Sequence, residues 1–341
     1  MTRLVALAAV LVIAGCGATQ QAVARSKRFT PGVVAGAYDQ RSAKATRLLG
    51  ARVVRVEFDI RTPAAALRHS VAAIARQGAR PLLLAGFEGR IPTEAEARNL
   101  AGWAAEFGPG GRFWKHRRPA RRRPVRLIEF GNETSGGYQY GDDGSTDTSY
   151  LTRAELYATR FAQAHAAIKR THRRVGLLAQ ADDGGTRSPA WVDHMFAAVP
   201  RLDRMVAGWT VHPYGPEWRW KDKLHRLIRQ TAAHGASRRI PIDVTEYGIS
   251  SDDGAPLSDN YGWPVDETYA QAASSLRGTI AGMRSDPAIG PRLRLFMVYA
   301  LYDQLPPRAS NDREHYFGVL RHDLAPKGAY TAAVRRLFKQ S

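Results

Sequence analysis

A chain of 341 residues with one cysteine and a formal charge of +19 is long enough to bury a large core, and it cannot form an internal disulfide. The excess charge is mostly arginine, spread along the sequence apart from one cluster at 115–123 (KHRRPARRR). That cluster lacks aromatic interleaving and belongs to no nucleic-acid module. The composition therefore argues against nucleic-acid binding and for a solvated arginine-rich surface, with attraction to anionic envelope polymers or lipid head groups as the sharper reading.

The first residues, MTRLVALAAVLVIAGC, join a basic end (Arg3) to an apolar run too short to span a bilayer, the pattern of a secretory signal. Residues 1–15 are expected to be removed. Ile13-Ala14-Gly15-Cys16 resembles the lipobox of bacterial lipoproteins, which would place a lipid on Cys16 and anchor the chain to a membrane. Cleavage after Ala22-Val23-Ala24 with simple secretion is the alternative. Residues 16–30 then read as a linker and 31–341 as a single domain.

From residue 30 onward short apolar runs alternate with helical patterns. Strands are predicted at 32–37, 51–58, 80–85, 125–130, 175–179, 205–211, 240–244 and 293–300. The fourth, VRLIEF, is rich in β-formers and reads as a strand buried on both faces. Between the runs, Thr62-Pro63 is expected to open a helix with Leu67, Val71 and Ile74 on one face before Gly78 ends it. Thr93 to Glu96 and Thr152 to Glu155 read as capping boxes, and Ser188-Pro189 as a further helix start. Eight strand and helix pairs imply a single (β/α)8 TIM barrel. A doubly wound open sheet would call for a glycine-rich phosphate turn after the first strand, and 32–40 contains no G-x-G-x-x-G.

In such a barrel the polar residues that follow each strand converge on one mouth. They are Arg55 after the second run, Asn132 and Glu133 after the fourth, His212 and Tyr214 after the sixth, Thr245-Glu246-Tyr247-Gly248 after the seventh, and Tyr302-Asp303 after the eighth. Two carboxylates facing each other across one mouth suit glycoside hydrolysis, where one protonates the leaving oxygen and the other attacks or activates water. Arg55 is expected to favour the anion at Glu246, with Tyr214 donating a hydrogen bond to it.

Asn132-Glu133 and Thr245-Glu246-Tyr247-Gly248 resemble the paired motifs that end the fourth and seventh strands of clan A retaining glycoside hydrolases, similar to families 5 and 39. The stretch 107–114 (FGPGGRFW) looks like the Tyr-Gly-Pro-Gly-Gly-x-Phe-Trp segment of family 39-like sequences, and 316–330 looks like the final segment of many clan members. The resemblance covers the expected mature chain. It implies Glu133 as acid/base, Glu246 as nucleophile, Asn132 as the holder of the sugar 2-hydroxyl, and Arg55, His212 and Tyr214 as flanking substrate-site residues. Two departures stand out. Thr134 replaces the usual proline, and the eighth run, LFMVYALYDQ, lacks the tryptophan that commonly floors the sugar site, so that either Tyr302 is its substitute or the floor is absent.

Loop aromatics offer sugar-stacking faces: Tyr138 and Tyr140, Trp218 and Trp220, Tyr261 and Trp263. Asp142, Asp143 and Asp147 lack the terminal bidentate glutamate of a calcium loop and read as a solvated acidic stretch. No cofactor motif is present, and none of the ten histidines forms the His-x-His pattern of a metal-dependent barrel hydrolase. An envelope-anchored carbohydrate-binding protein on a decayed barrel is the non-enzymatic alternative. An oligo- or polysaccharide is the expected partner in either case.

Overall fold

Apolar runs flanked by turns and separated by helix-length segments must bury both faces, and pairing in parallel behind crossover helices is the arrangement that does so. The computed structural model describes residues 29–87, 89–136, 147–171, 174–181, 190–258 and 266–340. Its strands are β1 (Thr30–Ala35), β2 (Val53–Asp59), β3 (Arg80–Gly86), β4 (Leu127–Phe130), β5 (Gly176–Gln180), β6 (Trp209–Val211), β7 (Ile242–Tyr247) and β8 (Leu293–Val298). Each pairs in parallel with the next, and β8 returns to β1, so the sheet closes into a single barrel in sequence order. Around it lie α1 (Gln40–Leu49), α2 (Arg68–Arg76), α3 (Glu94–Arg98), α4 (Leu100–Phe107), α5 (Asp147–Thr171), α6 (Ala190–Ala198), α7 (Glu217–Ala233), α8 (Tyr269–Ser285) and α9 (Gly328–Lys339).

Alternation along the strands sorts side chains into two cores. Val34, Val53, Leu82, Leu178, Leu295 and Met297 fill the barrel interior. Their neighbours one position on, such as Val54, Leu83, Ile128, Leu177 and Phe296, pack outward in the large core shared with the helices. Two glycines make room inside. A Cβ on Gly32 would lie 2.6 Å from the Met297 side chain, and one on Gly208 would lie 2.1 Å from Oδ2 of Asp243, whose other oxygen, Oδ1, accepts from Arg294 Nε at 2.9 Å.

Several boundaries differ from the sequence reading. The sixth strand starts at Trp209 rather than 205, because Leu202–Arg204 folds into a 3-10 turn that carries the chain up to the sheet. Residues 63–67 form hydrogen-bonded turns, so the helix expected from Thr62-Pro63 begins only at Arg68, although Leu67, Val71 and Ile74 are buried together. Thr152 to Glu155 lies inside α5 and caps nothing, since the helix starts at Asp147. The Thr93 capping box is formed. Ser188-Pro189 lies outside the described residues.

The glycine-rich 107–114 stretch is a structural corner. Trp114 Nε1 donates to the Phe107 carbonyl at 2.7 Å, Arg68 and Arg112 clamp Glu106, and Val125 N donates back to Phe107 O at 2.9 Å, which launches β4. At the opposite end of the barrel, Lys327 Nζ bonds Asp303 Oδ1 at 2.7 Å and the carbonyls of Ser251 and Tyr316. This ties the start of α9 to the loops that follow β7 and β8.

Candidate active site

Thr245 and Glu246 are adjacent, yet both face the barrel axis, which strict strand alternation forbids. The register between β7 and β8 shifts between Val244 and Tyr247. This irregularity turns Glu246 in beside Thr245, while Tyr247 points back out to Thr279 of α8 at 2.9 Å. The chain that leaves β4 bends as sharply. Gly131 has φ 79° and Glu133, a residue with a side chain to strain, has φ 43°. Left-handed backbone at a non-glycine costs on the order of 1 kcal/mol, and it is kept where its surroundings fix it. A Cβ on Gly131 would meet Thr134 at 2.4 Å and Phe87 at 2.6 Å, so no other residue fits the turn that presents Asn132 and Glu133.

Arg55, buried on β2, holds three of these groups at once. Its Nη1 donates to Glu246 Oε1 at 2.5 Å, Nε to Glu129 Oε2 at 2.6 Å and Nη2 to Asn132 Oδ1 at 2.8 Å. Burial disfavours its charge, but the Glu129 and Glu246 carboxylates outweigh that and raise its pKa further. Tyr214 donates to Glu246 Oε2 at 2.9 Å. Burial also opposes ionisation of Glu246, and His212, Arg55 and Tyr214 together override it, so this carboxyl is held below its usual range. Burial and the nearby Glu246 anion push the Tyr214 hydroxyl well above its ordinary value, which keeps it a donor.

Hydrogen-bond polarity assigns the remaining protons. Thr245 Oγ1 donates its one proton to Glu129 Oε1 at 2.8 Å, so towards His212 Nε2, 3.1 Å away, it accepts. Nε2 therefore carries hydrogen. The other ring nitrogen, Nδ1, lies 2.8 Å from Glu133 Oε1, and a lone pair cannot face a carboxylate oxygen at that distance without a proton between them. The His212–Glu133 pair thus holds one shared proton. Burial alone lowers the His212 pKa, yet the charges of Glu246 and Glu133 raise it overall, so the ring is held above the ordinary imidazole value. Lys223 of α7 fixes the main chain here, donating to His212 O at 2.6 Å.

Glu133, His212 and Glu246 each bring one oxygen or nitrogen within 4.8 Å of the others. A cation placed among them would sit against the Arg55 guanidinium that already neutralises Glu246.

The structure brings Arg55, Asn132, Glu133, His212, Tyr214 and Glu246 into one cluster at the barrel mouth. Trp218 lies on the first turn of α7 with 65 % of its surface exposed, outside the cluster. Two expectations need correction. Trp220 is 1 % exposed and packs against Gly282 of α8, because the loop expected at 216–220 is already helix and the helical period turns this position inward. Tyr302 is held beside α1 by the Ser42 hydroxyl at 3.2 Å, with the Arg41 guanidinium 4.2 Å from its ring centre. The aromatic after β8 that faces the cluster is Tyr299, edge-on to Tyr214 with ring centres 6.3 Å apart, and its hydroxyl pKa is raised by burial and by Glu246. The Tyr299–Ala300 peptide is cis. Tyr138, Tyr140, Asp142, Asp143, Tyr261, Trp263 and Cys16 lie outside the described residues.

Glu129 and Tyr299 were missed by sequence reasoning, which set Thr245 at the mouth but gave it no role of its own. A signal existed for the first: a glutamate in the middle of an otherwise apolar strand must find a cation or donors when buried, and Arg55 on β2, across β3, supplies one.

No sequence-family model matches the chain, and no curated protein matches it in sequence. Its structural neighbours are glycoside hydrolases. Bacteroides uniformis beta-glucuronidase 2, covalently bound to cyclophellitol-6-carboxylate aziridine, superposes with a TM-score of 0.60 at 13% identity, over 92% of this chain and 36% of that one. A family 39 glycoside hydrolase from Bacteroides cellulosilyticus WH2 gives 0.54 at 16% identity, covering 91% and 63%. AbfB, a family 51 alpha-L-arabinofuranosidase from Bifidobacterium longum, gives 0.55 at 14% identity, covering 90% and 72%. The chain shares the (β/α)8 barrel fold of these proteins. It spans about a third of the length of the glucuronidase.

Proposed function

We propose that the protein is a retaining glycoside hydrolase that cleaves O-glycosidic bonds by double displacement, with Glu246 as nucleophile and Glu133 as acid/base. The observation that carries this reading is the spacing: oxygens of the two glutamates approach within 4.8 Å. That approach is nearer the roughly 5 to 5.5 Å between the carboxyls of retaining enzymes than the roughly 6.5 to 9.5 Å that inverting enzymes keep to admit a water. Charge supports the same assignment. Glu246, ionised and oriented by Arg55 and Tyr214, is ready to attack the anomeric carbon, while the His212–Glu133 pair holds the proton that the leaving oxygen needs.

In the first step an oxygen of Glu246 forms the bond to the anomeric carbon, the glycosidic bond breaks, and Glu133 delivers its proton to the departing oxygen. The Glu133 carboxylate then faces the bare lone pair of His212 Nδ1 at 2.8 Å. That repulsion makes the pair a base. In the second step it takes a proton from the incoming water as the hydroxide oxygen bonds to the anomeric carbon and Glu246 is released. Asn132, fixed through Oδ1 by Arg55, has amide donors for the sugar 2-hydroxyl.

Trp218, exposed at the start of α7, is proposed as a sugar-stacking face at the entrance, and Trp263 as a second. Export with a lipid on Cys16 belongs to the same proposal, on the sequence pattern alone. Cys16→Ser is expected to release the protein from membranes or block its processing, and a fully soluble unmodified protein beginning at Arg25 would refute the anchor. The activity is tested by turnover on a panel of aryl glycosides and polysaccharides, with the anomeric configuration of the first-formed product read by NMR. Retention is the expected result; inversion, or no turnover on any member, would count against the reading.

A further inference from the structure

Parallel strands in a closed barrel put every helix-to-strand connection on one face, the base, opposite the mouth. The connection from α4 to β4, residues 108–126, contains eight arginine and lysine side chains and no carboxylate. Among them Lys115, Arg118, Arg121, Arg122 and Arg126 are exposed. Because the strands follow sequence order around the barrel, the next three connections lie beside it. They add the exposed Arg174, then Arg201 and Arg204, then Arg238 and Arg239. The only carboxylate in the described parts of these four connections is Asp203. At the mouth, the connection after β7 has the opposite character. After β7, residues 248–258 and 266–268 contain four carboxylates and no arginine or lysine.

Arginine at helix C-termini offsets the helix dipole, and this accounts for residues such as Arg47 and Arg76 in last turns. Residues 115–126 and 238–239 lie beyond the ends of the α-helices, so compensation of an α-helix dipole does not explain them. We propose that the base of the barrel is a docking surface for an anionic lipid bilayer, bound through the phosphates of its head groups, with the mouth facing away from the membrane. A bilayer is favoured over a soluble polyanion by breadth and by connectivity. The basic side chains spread over successive connections across one end of the barrel instead of lining a groove, and guanidinium forks match phosphate oxygens. The chain also enters β1 from this face, at Thr30. If the proposed lipid sits on Cys16, the intervening residues reach about 50 Å at full extension, a tether attached at the face that carries the charge.

The test is co-sedimentation of the full chain with vesicles of phosphatidylcholine alone and of phosphatidylcholine mixed with phosphatidylglycerol. Any contribution from the apolar first residues is common to both vesicle types, so the difference between them reads the base. The triple variant Arg118→Glu/Arg121→Glu/Arg122→Glu is compared with Arg61→Glu/Arg90→Glu/Arg98→Glu, which carries the same net charge but alters exposed side chains on the mouth side. The base variant is expected to lose on the order of a hundredfold in its preference for the anionic vesicles, the mouth variant less than about threefold, with circular dichroism showing both folded. Equal losses in the two variants would mean that net charge alone is sensed and would overturn the proposal. So would an unchanged base variant, or wild-type protein that binds soluble polyphosphate through these arginines more tightly than vesicles. None of these readouts depends on glycosidase activity.

Discussion

Thr245 shows how much one hydroxyl decides. Its single proton goes to Glu129, which fixes hydrogen on His212 Nε2 and directs the Nδ1 lone pair at Glu133. Thr245→Val keeps the shape and removes the relay, so the ring can flip its tautomer and compete with Glu133 for the proton. The expected outcome is a loss of about tenfold to a hundredfold in kcat, with KM nearly unchanged and the alkaline limb of the rate profile displaced; a purely structural role would leave that limb in place. In the wild type the signs are set by the two shifts. Glu246 is lowered from 4.5 and must be ionised, so activity falls only as the pH drops through a value below 4.5. His212 is raised from 6.5 and shares the acid proton, so activity falls only as the pH rises through a value above 6.5. The pair is faced by Arg55, Glu129, Glu246, Tyr214 and Tyr299. A plateau in kcat/KM wider than that interval on both sides is predicted, and a profile centred on a narrower window would contradict the assignment. At the entrance, Trp218→Ala should raise KM several-fold with kcat little changed, because stacking on a remote sugar ring contributes equally to ground and transition states.

At the scale of elements, the strands were legible because apolar runs of that length have few alternatives, whereas their ends were not. The sixth was overextended through Met205 and Val206, apolar residues that belong to the turn climbing towards the sheet, and the seventh was cut short at Val244 because Thr245 and Glu246 look like loop residues. Both of these polar side chains are buried in β7, and the irregular register that places them has no signature in residue type. Trp220 failed for a similar reason: two tryptophans spaced by one residue look alike in a loop, and only the helix separates an exposed one from a buried one. The tie between the β8 loop and α9 carries its own pH dependence. Burial raises Asp303 from 3.8 to about 7 despite the opposing pull of Lys327. Its contribution to stability is fully present below 3.8 and is lost as the pH rises through about 7. Asp303→Asn removes this component, so a plot of Tm against pH from 4 to 8 should fall less steeply in the variant than in the wild type; parallel curves would place the titration elsewhere.

For the whole molecule, the barrel follows from eight repeats of one pattern, and the cluster at its mouth follows from the barrel, since residues far apart in sequence meet only because all strands open on one face. What the sequence could not supply was the second layer beneath the glutamates. Glu129 and Thr245 act through hydrogen-bond direction, which depends on distances across strands and not on spacing along the chain. The central claim, that Glu246 attacks while Glu133 moves protons, is open to one direct measurement: azide rescue of Glu133→Ala and Glu246→Ala, with the configuration of the azide adducts read by NMR. The account predicts that Glu133→Ala keeps substantial turnover on substrates with very good leaving groups and forms the azide adduct with retained configuration. It predicts that Glu246→Ala loses turnover on every substrate and gives only the inverted adduct. The reverse pattern would exchange the two roles, and full activity in both variants would contradict the site itself.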